Sequence, residues 1–152
     1  MPRKYHAHRL RSGRYSQPGQ IYVLTSVTQN REPLFSDFHS GRLVVAAFKQ
    51  AEREQFVCSL AFVVMPDHFH WLVELRDTTL PVLMGRTRSR ICVSVNRQRQ
   101  RKGAVWQRGY HDRGIRKTED LQAVARYIVA NPLRAGLVRR VGDYSLWDAI
   151  WV

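Results

Sequence analysis

Two apolar runs joined by a two-residue turn constrain this chain more than anything else in it. "FVCSLAFVVM" (Phe56–Met65) is followed by "PD" and then by "HFHWLVEL" (His68–Leu75). Both runs are rich in β-branched and aromatic residues, so the pattern predicts two strands paired as a hairpin. The first run is apolar enough to be a central strand. The second carries two histidines, His68 and His70, two residues apart. On a strand, residues i and i+2 project from the same face, so both imidazoles point one way and Phe69 and Trp71 the other.

The rest of the chain fits around that hairpin. Residues 1–19 read as a basic arm containing Gly and Ser. "IYVLTSVT" (Ile21–Thr28) alternates as a strand does, and "REPLFSD" reads as a turn. From Phe38 to Gln55, Leu43, Val44, Ala47, Phe48 and Ala51 keep helical spacing. Thr79 with Pro81 just after it is a helix start, and that helix runs towards Arg101. Ala104–Lys117 reads as a short strand or irregular hairpin. Thr118, followed by Glu119 and Asp120, caps a last helix that runs to about Ala130, where Pro132 interrupts it. The order β-α-β-β-α-β-α predicts an α+β fold, a ferredoxin-like or RRM-like antiparallel sheet with helices covering one face. The 152 residues are expected to form one domain, with 139–152 as a tail.

Charge sets the class of partner. Lys and Arg number 25 against 12 acidic residues, a formal net charge of +13. The charge is blocked: Met1–Asn30 holds no acid, and Leu80–Thr118 holds only Asp112. Such a balance points to a polyanion partner. The longest apolar stretch, Leu60–Met65, is too short to span a bilayer, and no apolar segment follows the basic start as a secretory signal would require. Cys58 and Cys92 lack metal-type spacing and are expected as two buried free thiols in a reducing cytoplasm.

Two constellations carry chemistry. Two imidazoles on one strand face can share a divalent cation. Taken alone, the pair also fits a half-buried strand with a polar outer face, and both readings stay open at this point. In the last helix, Leu121, Val124, Ala125 and Ile128 form a packing face, and Tyr127 and Asn131 share the neighbouring stripe four residues apart. Asn131 can offer an oxygen that suits Mg²⁺ or Mn²⁺. By themselves, Tyr127 reads equally as an amphipathic residue at a packing margin and Asn131 as a helix-end residue before proline.

"MPDHFHWLVEL" followed by "VWQRGYHDRGIRKTEDLQAVARYIVANPLRAGLV" resembles the REP-associated tyrosine transposases, a branch of the bacterial single-tyrosine HUH (His-hydrophobic-His) transposases. The resemblance runs from the first strand, with "REPLF" after it, to Val138, and the ending with Tyr144 and Trp147 is similar too. It implies that His68 and His70 are metal ligands, that Tyr127 is the nucleophile, and that Asn131 completes the metal site. It also implies a Mg²⁺ or Mn²⁺ requirement without a nucleotide cofactor. The implied substrate is single-stranded DNA folded into REP-type palindromic hairpins beside a 5′-GTAG guide, cut and rejoined through a 5′-phosphotyrosine link. A cytoplasmic, nucleoid-associated monomer is implied in preference to a homodimer.

Residue chemistry agrees with this. A phenol with an ordinary pKa near 10 is a weak nucleophile at neutral pH, and a metal on the phosphate offsets that. The chain has no P-loop or dinucleotide fingerprint. Candidate DNA contacts are Arg9, Arg11 and Arg14 on the arm, and Arg86, Arg90, Arg97 and Arg101 as a stripe on one helix face. Trp106, Arg108 and Tyr110 are candidates to stack on or clamp an unpaired base. Asp120, two helical turns before Tyr127, can tune the site or serve the helix dipole. Two rival functions remain: a binding module that kept the fold and lost catalysis, and a metal-dependent hydrolase with water as nucleophile.

Overall fold

The computed structural model describes residues 19–116 and 119–151. Arg9, Arg11, Arg14 and Thr118 lie outside them. The elements run β1 (Ile21–Val27), α1 (Phe38–Arg53), β2 (Val57–Met65), β3 (His68–Leu75), α2 (Leu80–Arg99), β4 (His111–Ile115), α3 (Leu121–Val129), the one-turn α4 (Asn131–Arg134) and β5 (Trp147–Ala149). The predicted order therefore holds, with one short helix and one strand more.

The strands form a single five-stranded sheet in the order β4-β1-β3-β2-β5. Each pairing is antiparallel. The first four strands keep the ferredoxin-like arrangement in which β3 inserts between β1 and β2. The hairpin is continuous from Met65 opposite His68 to Val57 opposite Leu75, with one irregularity between Ser59 and Ala61.

Local chemistry explains the element ends. Asp37 caps α1 by accepting from the Ser40 amide, and Thr79 caps α2 by accepting from the Val82 amide at 3.4 Å, with Pro81 in the first turn. The Asp37 carboxyl sits below its ordinary pKa chiefly because the Ser40 hydroxyl donates to it. One 3₁₀ turn (Gln29–Arg31) leads into "REPLFSD" and a second (Leu34–Ser36) lies within it, with Leu34 and Phe35 buried.

Strand alternation divides the interior in two. Tyr22, Leu24, Phe62, Val64, Phe69, Trp71, Val73 and Leu75 pack with α1 and α2. Phe48 of α1 stacks on Trp71 at 4.2 Å between ring centroids, and Phe69 meets Phe48 edge-on at 5.0 Å. On the opposite face, Ala61, Val63, Met65 and Leu72 pack with Ala125, Ile128 and Val129 of α3. The expectation of helices on one face is thus corrected. α1 and α2 cover one face and α3 covers the other, because β2 is apolar in both directions and needs a cover on each.

The tail is part of the sheet. Leu146 is buried, β5 pairs with β2, and the Tyr144 hydroxyl donates to the Val64 carbonyl at 2.6 Å. Burial raises the Tyr144 pKa above its ordinary value. Cys58 and Cys92 are free, as expected, but only half-buried. Among the described residues no helix is long and apolar enough to cross a membrane.

Candidate active site

The face covered by α3 carries the candidate site residues. His68 and His70 project from β3 beside β1, where Thr25 stands opposite His70. Thr25 is also opposite His111 of β4, so His111, Thr25 and His70 form one row on this face. The two histidine rings meet edge to face, 4.9 Å between centroids.

Each ring is held by its Nδ1. His68 Nδ1 donates to the Asp67 carboxylate at 2.7 Å, and a carboxylate can only accept, so in the neutral ring Nε2 is the bare nitrogen. His70 Nδ1 is hydrogen-bonded to Thr25 Oγ1 at 2.7 Å. With Nδ1 donating there, its Nε2 is bare as well. A partner on one ring nitrogen is how proteins fix a metal-ligating imidazole. Burial first, then the charges of His68 and Arg134, hold the His70 pKa down at about 4. It is therefore neutral at pH 7, the form that ligates metals.

Asp67 is itself pinned. Arg31 Nη1 donates to its second oxygen at 2.9 Å, from a turn in which Asn30 and Arg31 both have left-handed backbone angles. Burial pushes the Asp67 pKa up, but the hydrogen bonds and charges of His68 and Arg31 outweigh it and leave the carboxyl below its usual range.

α3 supplies the other wall. Its N-cap is Asp120, which accepts from the Gln122 and Ala123 amides at 3.0 and 3.2 Å. Asp120 thus serves the helix start, the blander of its two expected roles. Ala125, Ile128 and Val129 anchor the helix to the sheet. Tyr127 faces outward, 66% exposed. Beyond it, Asn131 folds back so that Nδ2 donates to the Ile128 carbonyl at 2.8 Å and more weakly to that of Tyr127 at 3.4 Å. The amide end of Asn131 therefore closes the helix, and Oδ1 makes no hydrogen bond among the described residues.

A cleft of about 420 Å³ lies between sheet and helix, lined by Val23, Thr25, His70, His111, Asp112, Arg113, Tyr127, Ile128 and Asn131, among others. Tyr127, His70 and Asn131 thus share one cavity, and His68 joins through its contact with His70. Among the described residues no cluster of three or more His, Cys, Asp or Glu could hold a metal ion. The donor set that fits a cation is two imidazole nitrogens with the amide oxygen of Asn131, a borderline-to-hard set compatible with Mg²⁺ or Mn²⁺.

The proposed DNA contacts separate. Arg86, Arg90 and Arg97 lie on α2, across the sheet from the cleft. Arg86 and Arg90 reach Glu54 at 3.8 and 3.4 Å, and Arg101 reaches Glu32 at 3.2 Å. Trp106, expected to stack on a base, is instead a core residue, 8% exposed. It packs on Phe35 and Phe69, and Nε1 donates to the Arg88 carbonyl at 3.0 Å. Tyr110 is half-buried against the same core with the Arg88 guanidinium 5.8 Å from its ring, which leaves Arg108 as the exposed member of the three.

Sequence reasoning missed Asp67, Thr25, His111 and Arg134. Thr25 could have been found from the β1 alternation, which puts it in line with Val23 and Val27. Asp67 was legible only as a turn residue.

A family model described as "Transposase IS200 like" matches residues 16–131. The chain belongs to that family. Within it, the chain is similar to the REP-associated tyrosine transposases. It is 29% identical over 137 residues to a Haemophilus influenzae protein assigned to that group, covering 83% of this chain and 77% of that one. Among solved structures, a REP-associated tyrosine transposase bound to a REP hairpin superposes with a TM-score of 0.72 at 23% identity, over 88% of this chain and 79% of that one. A transposase from Deinococcus radiodurans gives a TM-score of 0.53 at 16% identity, over 73% and 88%. At these identities the structural matches speak to the fold.

Proposed function

We propose that this transposase-family chain is a metal-dependent single-strand DNA endonuclease and strand transferase that acts on REP-type hairpin DNA through Tyr127. The observation that carries the proposal is the cleft itself. Tyr127 and Asn131 from one wall and His70 from the other line a single cavity within one chain, with His68 against His70. That the chain supplies every member also supports a monomer. The family match, and the hairpin bound by a solved relative, support REP-type hairpin DNA as substrate. The 5′-GTAG guide and the cytoplasmic nucleoid setting enter this reading from the resemblance alone.

The residues divide the work. His68 and His70 would hold a divalent ion through ring nitrogens, with Asn131 adding an amide oxygen. Bound there, Mg²⁺ or Mn²⁺ supplies Lewis-acid neutralisation of phosphate charge. Asp67 and Thr25 fix both rings through Nδ1, which would leave their other nitrogens for an ion. Tyr127 stands at the open side, where its hydroxyl can meet a phosphate in line with the departing oxygen. Its oxygen bonds to phosphorus, the P–O3′ bond breaks, and the strand end leaves as a 3′-hydroxyl. The 5′-phosphotyrosine link conserves the bond, so a second 3′-hydroxyl can rejoin the strand without a nucleotide cofactor.

Covalent trapping tests this. A labelled single-stranded hairpin carrying 5′-GTAG is mixed with protein and Mn²⁺ or Mg²⁺ and resolved under denaturing conditions. The expected result is a metal-dependent adduct that is lost in Tyr127→Phe and in His68→Ala/His70→Ala. Cleavage that persists in Tyr127→Phe would establish a water nucleophile instead. Tight binding without cleavage on several flanking sequences would establish a binding module.

A further inference from the structure

The arginines around the cleft are not equivalent. Arg113 of β4 is paired with Glu119 at 2.5 Å, and Arg126 of α3 lies 3.8 Å from Asp120. Arg134, at the end of α4, has no carboxylate within ion-pair distance among the described residues. Its guanidinium carbon lies 3.7 Å from the centroid of the Tyr127 ring, over the ring, and Nη2 donates to the Tyr127 carbonyl at 2.7 Å. Its charge also reaches into the cleft, where it is one of the influences that keep His70 neutral. One exposed arginine therefore touches the candidate nucleophile twice and carries a charge that no acid among the described residues neutralises.

We infer that Arg134 is a second catalytic group, holding the Tyr127 ring by its face and turning its remaining N–H edge to the phosphate that Tyr127 attacks. The inference rests on the tyrosine-transferase reading above. A guanidinium is planar, so it can lie on an aromatic ring while its edge donates to phosphate oxygens. The chain path brings it there. Asn131 and Pro132 end α3 and start α4, which folds Arg134 back onto the carbonyl of Tyr127 seven residues earlier.

The Tyr127 oxygen forms the bond to phosphorus as its proton passes to water. The P–O3′ bond breaks, and the leaving oxygen takes a proton from water. Negative charge on the phosphoryl oxygens grows in the transition state, and a fixed cation at the edge of the nucleophile stabilises it there.

Single-turnover adduct formation on the labelled hairpin with Mn²⁺ tests the inference, using wild type, Arg134→Ala, Arg134→Gln and Arg134→Lys. The Ala variant is expected to form adduct about 100-fold more slowly. Its hairpin Kd should stay within about threefold of wild type, since the contact matters in the transition state. Gln keeps an N–H donor for the Tyr127 carbonyl without the charge, and should be slowed to a similar degree. Lys should recover part of the rate, and added methylguanidinium should restore rate to the Ala variant. Adduct formation by the Gln variant at the wild-type rate would reduce Arg134 to a helix-end strut and overturn the inference alone. So would slowing that methylguanidinium does not relieve. Absence of any adduct in wild type would overturn the tyrosine reading and this inference with it.

Discussion

Along β3, Phe69, Trp71, Val73 and Leu75 face α1 and α2, whereas His68, His70 and Glu74 face the other way. The first face is sealed. Trp71 is fully buried, stacked on Phe48, with Nε1 donating to Ser59 Oγ at 2.6 Å. The second face is sealed only where Ala125, Ile128 and Val129 of α3 meet β2 and β3, and stands open beside β1 and β4 as the cleft. A strand with period two can serve both purposes at once. Aromatic residues fix the backbone from behind, and the histidines in front inherit that rigidity, which is the support a two-ligand site needs.

The largest effects should come from breaking each face in turn. Trp71→Ala removes a stacked indole and its hydrogen bond, and should cost about 3–5 kcal/mol in urea unfolding. A loss under about 1 kcal/mol would show that the sealed face does not carry the fold. Tyr127→Phe, on the open face, should abolish the covalent adduct and leave the urea midpoint unchanged, because the side chain is exposed. A shifted midpoint would mean that Tyr127 is a packing residue.

His70 sharpens the contrast through pH. Its folded pKa of about 4 lies below the ordinary 6.5. The unfolded chain therefore binds the proton first, and metal-free protein should lose stability as pH falls from about 6.5 towards 4. The contribution is fully kept above that window and amounts to at most about 3 kcal/mol across it. Urea titrations at successive pH values should show the slope in wild type and lack it in His70→Gln. An unchanged slope in the variant would assign it to other groups.

The groups behind the histidines come next. Asp67→Asn and Thr25→Val should each weaken Mn²⁺ binding by about 10–100-fold in calorimetry while the protein stays folded. Unchanged affinity in both would mean that the rings are held by packing alone.

How much of this was legible in the sequence follows from the range of the interactions. The β2–β3 hairpin and the common face of His68 and His70 depend on local alternation, so they could be read directly. The α3 stripe was equally readable, but an amphipathic helix records only that it has a buried side. It does not record which face of a sheet will receive that side, so placing α3 on the histidine face needed the tertiary structure. β5 is three residues long and leaves almost no periodic trace. Trp106 stands two residues before Arg108 in "VWQRGY" and read as a base-stacking candidate, yet its isolated bridge with Thr28 draws it under Phe35 and Phe69. Arg134 lies past Pro132, beyond the helix whose spacing tied Tyr127 to Asn131.

The smallest effect is expected on the α2 side of the sheet, and it decides how DNA lies on the protein. Arg86 and Arg90 already share Glu54, and their helix is separated from the cleft by the thickness of the sheet. Exposed ion pairs of this kind contribute about 0–1 kcal/mol to stability, so replacing both arginines by Ala should leave the fold intact. If the hairpin is held only on the cleft side, Arg86→Ala/Arg90→Ala should change its Kd by less than about threefold and leave the salt dependence of binding nearly unaltered. Charge on the cleft side would then account for affinity, and the stripe would be a solvated helix surface. If instead Kd rises about tenfold or more and the salt slope drops by one to two phosphate contacts, the DNA must pass around the edge of the sheet and touch both faces. Of the two edges, β4 carries His111 and Arg113 at the cleft and follows the exposed Arg108, whereas β5 is short and lies beside β2. A wrapped path would therefore run over β4, and Arg108→Ala would show the same loss as the α2 pair.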